Sequence, residues 1–282
     1  MKSILLLLIA SCFATHAIAS QYPTPVAATY YPIYNTGIGQ YMVPTLDMPF
    51  NKVSTVFIAF AHTYPKGKGA ILTFEDTQPD EINRLPLLVK IAHQVNPNIK
   101  LLISLGWEHN DWTYINDDYV NKANQFIPSV IQFIRTYHLD GFDIDDEGIN
   151  GSSGYIPQEN FDAVIKNLKS ALDQASKEDH KPYYLTITPA FGKANVNIQN
   201  MNYFDLINTQ NYGGSDPSDF TTMGYPAKQI TQGINTDGCY TKLPTTQEFA
   251  GIFSWNMTSD SSCQYYYTHK IAEIVGYGIQ PH

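Results

Sequence analysis

The feature that most constrains the fold is a series of eight short apolar segments along the chain, each bounded by turn residues. Several of these segments are apolar on both faces, which is typical of strands buried in a parallel sheet. Segments with the apolar spacing of helices lie between them. The predicted strands cover residues 27–34, 53–62, 99–106, 141–145, 183–189, 206–212, 229–234 and 251–255, and the clearest helices cover residues 80–95, 120–137, 161–176 and 265–275.

Eight strands that alternate with helices over about 260 residues predict a single (β/α)8 barrel. The seventh predicted strand is weak and the first crossover has no clear helix, so a doubly wound open sheet stays open as an alternative from the pattern alone. With 282 residues and 43% hydrophobic content, the chain is long enough to bury a large core. In such a barrel the active site lies at the carboxyl ends of the strands.

The N-terminus has the pattern of a secretory signal peptide. Lys2 precedes an apolar run over residues 4–10, and the small residues at 17–19, AIA, form a cleavage signal. The apolar run is too short to span a bilayer, and no later run is long enough either. Cys12 could instead belong to a lipoprotein signal, although it comes very early for one. We expect a signal peptide at residues 1–19 and a secreted or periplasmic protein.

Charge and cysteine content narrow the possible partners. Cleavage removes Cys12 and the positive charge of Lys2, so the formal net charge moves from −9 to −10, which argues against nucleic acid or anionic membrane as a partner. The two remaining cysteines, Cys239 and Cys263, predict a disulfide in an oxidising compartment. HExxH, CxxC and glycine-rich phosphate motifs are missing, and His109 lacks ligand spacing and is interpreted as a surface histidine. We therefore expect no metal and no cofactor.

One predicted strand is unusually acidic, because the segment 139–148 reads LDGFDIDDEG and carries five carboxylates. Aspartate is depleted in strands. Strand residues alternate between faces, so Asp143, Asp145 and Glu147 are expected to share the inward face of the barrel, with neighbours ~6.5–7 Å apart. Three stacked carboxyls cannot all ionise comfortably, so at least one pKa should be raised. Glu147, nearest the mouth, is best placed to act as a protonated acid.

The run DGFDIDDE resembles the DGxDxDxE signature of family-18 glycoside hydrolases, the chitinases and endo-β-N-acetylglucosaminidases, and it falls on the fourth strand, where that family has it. SLGW at residues 104–107 resembles the family's SxGG, with Trp107 in place of the last glycine. QNY at residues 210–212 resembles its Q/M-x-Y element, and Trp255 ends strand eight, where the family keeps a tryptophan. The resemblance implies a catalytic (β/α)8 barrel over residues 20–282.

The resemblance also implies retaining hydrolysis in which the 2-acetamido group of the bound N-acetylglucosamine attacks the anomeric carbon. Glu147 would protonate the glycosidic oxygen. Asp145 would orient the acetamido N–H and stabilise the oxazolinium ion, and Asp143 would share a proton with Asp145. The Tyr212 hydroxyl would hold the acetamido group, with Trp255 as the apolar floor.

Other residues are assigned from the same resemblance, each with an ordinary alternative. Aromatic residues inside strands are often simply core, and Asp-Gly pairs are common turn formers. The further residues predicted to contact substrate are Gln210, Trp107, Tyr30 and Phe60, and those predicted to be structural are Ser104, Gly106, Asp140 and Gly141.

Three functions remain open. The first is a chitinase acting on β-1,4-linked N-acetylglucosamine, the second an endo-β-N-acetylglucosaminidase cutting the chitobiose core of N-glycans, and the third an inactive sugar-binding protein on the same barrel. Intact Glu147, Asp145 and Tyr212 argue against the third. The DDE ending and the glycines after Tyr212 resemble endoglycosidases, whereas Trp255 and the small barrel resemble chitinases. We expect a monomeric chitinase-like hydrolase whose partner is an N-acetylglucosamine-containing polysaccharide or glycan.

Overall fold

Nine strands and seven α-helices make up the part of the chain that the computed structural model describes, residues 21–34, 41–74, 81–107, 109–244 and 248–278. The predicted signal peptide at residues 1–19 lies outside the described residues. The strands are β1 (Val26–Pro32), β2 (Thr55–Lys66), β3 (Gly69–Thr73), β4 (Lys100–Gly106), β5 (Gly141–Asp146), β6 (Tyr184–Pro189), β7 (Leu206–Thr209), β8 (Ile230–Asn235) and β9 (Gly251–Trp255). The helices are α1 (Glu81–Val95), α2 (Asp111–Val120), α3 (Phe126–Thr136), α4 (Gln158–Asp179), α5 (Pro217–Thr221), α6 (Met257–Asp260) and α7 (Tyr266–Val275).

Eight of the strands close into a parallel barrel. The order around the ring is β1, β2, β4, β5, β6, β7, β8 and β9, and β1 pairs in parallel with both β2 and β9. An open doubly wound sheet would leave two unpaired edges, so the closure confirms the predicted (β/α)8 barrel. Strand β3 stands outside the ring and pairs antiparallel with the extended end of β2.

The predicted elements all have observed counterparts, although β3, α5 and α6 were not predicted and two bounds differ. The helix predicted over 120–137 is two helices, α2 and α3, because the chain takes positive φ at Lys122 and Asn124 between them. The predicted sixth strand ends at Thr209 rather than at residue 212. The weak seventh predicted strand is present as β8 and pairs with both of its neighbours.

Helices α3 and α4 form the layer outside the acidic strand. Buried apolar side chains recur along each helix at the three- and four-residue spacing of one helical face. They pack in the same core as Phe142 and Ile144 of β5. The intervening Asp143 and Asp145 therefore point into the barrel, as the alternation of strand residues predicted. Among the described residues, no helix is both long and apolar enough to cross a bilayer.

Candidate active site

Asp143 is the deepest of the acidic side chains and is surrounded by hydroxyl groups. Its Oδ2 accepts hydrogen bonds from Ser104 Oγ at 2.7 Å and from Tyr30 OH at 2.8 Å. Its Oδ1 accepts from Thr186 Oγ1 at 2.5 Å and from Thr188 Oγ1 at 3.2 Å. Burial raises the pKa of Asp143, and these four hydrogen bonds oppose the rise. The position of Ser104 agrees with its predicted structural role.

Asp145 lies one step nearer the mouth and is paired with a second carboxyl. Gln210 Nε2 donates a hydrogen bond to its Oδ1 at 2.9 Å, and its carboxyl is hydrogen-bonded to that of Glu147. Burial raises the pKa of Asp145 well above its usual value, and the charges of Glu147 and Asp143 raise it further. Two carboxyls can hydrogen-bond to each other only when one of them carries a proton, so the Asp145–Glu147 pair holds a shared proton.

Glu147 is half-buried in the loop directly after β5 and borders the cleft. Burial raises the pKa of Glu147, while hydrogen bonds from Gln210 and Asp145 lower it. The sequence predicted that Asp143 would share a proton with Asp145. In the described residues the hydrogen-bonded carboxyl partner of Asp145 is Glu147, because the oxygens of Asp143 are occupied by hydroxyl groups.

Asp146 has a different environment from its neighbours because it points away from the cleft. Its Oδ2 accepts from the backbone N–H of Asn195 and its Oδ1 from the side-chain amide of the same residue, both at 2.9 Å. Burial raises the pKa of Asp146 to about 6. The acidic strand therefore uses alternate carboxylates for two purposes, the cleft and the attachment of a loop.

Two glycines allow the strands to approach closely beside these carboxylates. A Cβ on Gly106 would lie 2.5 Å from the carbonyl oxygen of Asp145, and a Cβ on Gly141 would overlap the backbone of Tyr184. Any larger residue would push β4 or β6 away from β5. Both glycines are therefore structural, as predicted.

Asp140 is structural and lies at the opposite end of the barrel from the cleft. Its Oδ2 accepts from the backbone N–H of Leu101 at 2.9 Å, and its Oδ1 is paired with Lys181 Nζ at 3.1 Å. These contacts fix the start of β5 against β4 and against the chain that leads into β6.

A cleft of about 480 Å³ opens at the carboxyl ends of the strands, and aromatic rings form one continuous wall of it. Phe60 stacks against Trp255 with centroids 6.2 Å apart and planes 18° apart. Tyr34 also stacks against Phe60, with centroids 6.0 Å apart, and against Trp107, with centroids 6.2 Å apart. Three of these four rings were predicted, and Tyr34 was missed although it ends the first predicted strand on the same face as Tyr30.

Trp107 takes a backbone conformation that favours glycine, with a φ of 59°. Its side chain is 41% exposed and lines the cleft. The position matches the last glycine of SxGG, and here the same backbone turn carries an indole ring that extends the aromatic wall.

Tyr30 was predicted to contact substrate, and the structure corrects this. Its side chain is only 1% exposed and does not line the cleft, because the residue lies in the middle of β1 beside Phe57. Its hydroxyl instead donates to Asp143, and its ring lies 5.4 Å from that of Trp255. Tyr30 therefore supports two residues of the site from below.

Tyr212 and Gln210 both line the cleft, as predicted. The chain turns sharply after β7, where the backbone N–H of Gly213 donates to the carbonyl of Gln210 at 2.8 Å. Tyr212 is 39% exposed, so the removal of its hydroxyl from solvent is only partial, but this and the nearby charges of Asp145 and Glu147 both raise its pKa. The phenol therefore stays protonated at neutral pH and can donate a hydrogen bond into the cleft.

Asn235 and Asp237 also line the cleft, and sequence reasoning missed both. Asn235 ends β8 and Asp237 lies two residues further on, where the chain carries no recognisable motif. The Oδ1 atom of Asp237 is buried and has no hydrogen-bond partner among the described residues. It is therefore available to accept a hydrogen bond from a ligand.

A disulfide joins Cys239 to Cys263, with Cα atoms 5.6 Å apart, which confirms the predicted pair. Cys239 lies two residues after Asp237, and Cys263 ends the short 3-10 helix before α7. The bond thus anchors the loop that carries Asp237.

Residues 27–277 match the sequence profile of the family described as glycosyl hydrolases family 18. The chain belongs to this family. Among curated proteins it is similar to Chitinase A1 of Niallia circulans, with 32% identity over 126 residues. That alignment covers 41% of this chain and 17% of the relative, so the matched segment spans less than a fifth of the length of that protein.

Solved family-18 structures share the fold at low identity. A chitinase-like agglutinin from Robinia pseudoacacia superposes with a TM-score of 0.67 at 15% identity, covering 88% of this chain and 99% of the agglutinin. A class V chitinase from Nicotiana tobaccum gives 0.66 at 13% identity, covering 90% and 100%. A variant of the latter enzyme was solved in complex with NAG4. The same barrel thus occurs in both a chitinase and a lectin-like protein.

Proposed function

We propose that this protein hydrolyses β-1,4 linkages between N-acetylglucosamine units of a chitin-like polysaccharide, with retention of configuration. The observation that carries the proposal is the hydrogen-bonded pair of carboxyls, Asp145 and Glu147, at the edge of an aromatic cleft. A protonated carboxyl at this position can donate to a glycosidic oxygen at neutral pH. Flat apolar rings suit the faces of sugar units.

The proposed reaction begins when the acetamido N–H of the substrate donates to Asp145 and replaces Glu147 as its partner. The shared proton then stays on Glu147, which transfers it to the glycosidic oxygen as the C1–O bond breaks. The acetamido oxygen forms a bond to C1 and gives an oxazolinium ion, which the negative charge of Asp145 stabilises. Water, deprotonated by Glu147, then attacks C1 and restores the acetamide with the β configuration.

Neighbouring side chains would orient the substrate for this reaction. The neutral hydroxyl of Tyr212 would donate to the acetamido oxygen, and the ring of Trp255 would support the sugar from below. The unpaired Oδ1 of Asp237 would accept a hydrogen bond from a sugar hydroxyl. The hydroxyl groups around Asp143 would hold a negative charge beneath Asp145.

The second candidate is an endo-β-N-acetylglucosaminidase that cuts the core of N-glycans. It is favoured by Gly213 and Gly214 after Tyr212, since Gly213 lines the cleft and has no side chain to narrow it. The DDE ending, which also resembles endoglycosidases, carries less weight than it did in sequence because Asp146 faces away from the cleft. An inactive sugar-binding protein is the third candidate, in view of the agglutinin on the same fold.

The test is a product assay on two substrates. The purified protein is given chitin oligomers in one reaction and a high-mannose glycopeptide in the other, and the products are identified by mass spectrometry. Shorter chitin oligomers support the proposal, release of the glycan from the peptide supports the second candidate, and binding without cleavage supports the third. Glu147→Gln, which keeps the shape of the side chain, is the matched control for contaminating hydrolases.

We also propose that the protein acts in an oxidising compartment outside the cytosol. The disulfide between Cys239 and Cys263 supports this, since such bonds persist where the surroundings are oxidising.

A further inference from the structure

Two histidines and a buried aspartate meet beside the cleft, at the same end of the barrel. His62 lies in the extension of β2, His109 in the loop after β4, and Asp111 is the first residue of α2. His62 Nδ1 lies 3.1 Å from Asp111 Oδ2, and His109 Nδ1 lies 3.2 Å from Asp111 Oδ1. One ligand-type atom from each of the three side chains lies within 4.8 Å of the other two.

We propose that His62, His109 and Asp111 form a binding site for a divalent transition-metal cation such as Zn²⁺. Two imidazole nitrogens and one carboxylate oxygen are the donor types that this ion prefers. The sequence did not indicate the site because the ligands come from three separate elements and lack a recognisable spacing. The interpretation of His109 as a surface histidine is corrected, since it is half-buried against His62 and Asp111.

The carboxylate is held in a position suitable for a ligand. Asp111 is 0% exposed, and its Oδ1 accepts from the backbone N–H of Thr63 at 2.5 Å and from Thr63 Oγ1 at 2.9 Å. These hydrogen bonds fix the carboxylate beside the two imidazole rings.

The two histidine side chains leave the cluster open to solvent. They are 14% and 24% exposed, and their ring centroids lie 4.5 Å apart. An ion bound between them would be reached by water, which would complete its coordination. Three protein ligands with an open fourth position are typical of exchangeable rather than purely structural zinc sites.

The position of the cluster connects it to the sugar cleft. His62 follows Phe60 by two residues, with ring centroids 6.4 Å apart, and His109 follows Trp107 by two residues. An ion shared by the histidines would hold these two parts of the aromatic wall at a fixed separation. The consequence is tighter binding of the sugar when the ion is present, and this part rests on the proposed function.

Metal binding is tested first, without reference to sugar. The full chain is purified without a histidine tag, treated with a chelator, and titrated with Zn²⁺ by calorimetry at neutral pH, with Co²⁺ absorption as the measure of coordination. We expect one ion per chain and a rise in unfolding temperature with Zn²⁺.

Two variants test the proposed ligands and a third serves as the control. His62→Ala and His109→Ala should each weaken Zn²⁺ binding by at least ~10-fold and abolish the rise in unfolding temperature. His269→Gln, a change at an exposed histidine of α7, should leave both unchanged. Binding that is undetectable in the unsubstituted protein, or equally strong in the His62 and His109 variants, overturns the site and leaves Asp111 as a hydrogen-bond acceptor only.

The link to sugar is measured separately. The dissociation constant of a chitin oligomer is determined for Glu147→Gln with and without Zn²⁺, and again with His62→Ala added. Tighter binding that requires both Zn²⁺ and His62 supports the link. Metal binding with no effect on the sugar overturns the link alone, whereas sugar that fails to bind at all contradicts the proposed function and not the metal site.

Discussion

Three carboxylates in a buried column would repel each other strongly, and individual side chains limit that cost. Four hydroxyl groups donate hydrogen bonds to Asp143, while Asp145 and Glu147 are hydrogen-bonded to each other and the pKa of both is raised by burial. The same arrangement that makes the column tolerable leaves an acid at the mouth of the cleft. Stability and chemistry therefore depend on the same protons.

The first prediction at this scale concerns the acid. Glu147→Gln keeps the shape of the side chain but cannot donate a proton, so hydrolysis of a chitin oligomer should fall by ~10²–10⁴-fold. Binding of the oligomer, measured by calorimetry, should be retained. Turnover close to that of the unsubstituted protein would show that another group supplies the proton.

A second prediction concerns Asp143. Its negative charge raises the pKa of Asp145, so Asp143→Asn should lower the pKa at which the Asp145–Glu147 pair loses its shared proton. The alkaline limb of the pH–activity profile should move to lower pH. Tyr30→Phe is the matched control, because it removes one hydrogen bond to Asp143 and leaves the charge, so its limb should move less. If the alkaline limb of Asp143→Asn is unchanged, the charge of Asp143 does not affect the pKa of the Asp145–Glu147 pair.

At the residue scale, strand alternation and the family motif predicted the positions of several residues that line or border the cleft. They placed Asp143, Asp145 and Glu147 on one inward face, and they marked Trp255 at the mouth. They could not predict how deep in the barrel each inward side chain lies. For this reason Tyr30, which lies below the cleft, was predicted to contact the substrate. Asp237 was missed for another reason, since a loop residue shows no periodicity and reaches the cleft only through the path of its loop.

At the scale of elements, loops at the carboxyl ends of the strands shape the cleft, and two of them are constrained by unusual features. Trp107 follows β4 in a left-handed conformation, and the loop after β8 is held by the disulfide of Cys239 and Cys263. Each feature constrains a loop that lines the cleft, in addition to the constraint that the barrel strands impose.

Trp107 offers a prediction that separates backbone strain from sugar contact. A left-handed conformation costs a non-glycine residue about 1–2 kcal/mol, so Trp107→Gly should be more stable than Trp107→Ala by roughly 1 kcal/mol in denaturant unfolding. Both variants lose the indole ring and should bind a chitin oligomer with similarly reduced affinity. An affinity equal to that of the unsubstituted protein would remove Trp107 from the sugar-binding wall.

The disulfide gives a second prediction for an element. Replacing Cys239 and Cys263 together by serine removes a crosslink between residues 24 positions apart, worth about 3 kcal/mol of unfolding free energy in the chain-entropy model. The Michaelis constant should rise as well, because the loop carrying Asp237 loses its anchor. The free energy comes from denaturant unfolding, and a double variant as stable as the parent would mean that the loop is held by other contacts.

Element prediction failed where a turn interrupts a continuous pattern. The apolar spacing over 120–137 continues across the break between α2 and α3, so only the positive φ at Lys122 and Asn124 reveals two helices. The extension of β2 into a hairpin with β3 was also not predicted, because both strands carry turn-forming residues near Gly67. That hairpin carries His62, so the cluster with His109 could not be seen in the sequence.

At the scale of the whole molecule, burial of carboxylates makes stability depend on pH. Asp146 is buried and its pKa is raised to about 6, so the folded protein binds this proton more tightly than the unfolded chain. The stabilisation that the protonated Asp146 gives the folded state is fully present below the ordinary aspartate pKa of ~3.9. It is lost as the pH rises through about 6.

The corresponding prediction compares the unsubstituted protein with Asp146→Asn, which has no proton to lose. Between about pH 4 and about pH 7, the unfolding free energy of the unsubstituted protein should fall by on the order of 2 kcal/mol relative to the variant. Subtracting the unfolding free energy of the variant at each pH removes the effect of the other titrating groups, because the two proteins share them. Denaturant unfolding across this range provides the measurement, and parallel curves would contradict a raised pKa at Asp146.

We propose that hydrolysis proceeds by two successive displacements at C1, the first by the substrate's own acetamido group and not by water. The most direct test is proton NMR of the first product released from a chitin oligomer, before its anomers equilibrate. Two successive displacements at C1 predict that the new reducing end appears as the β-anomer. An initial α-anomer would mean direct attack by water from the opposite face, and the proposed mechanism would be wrong.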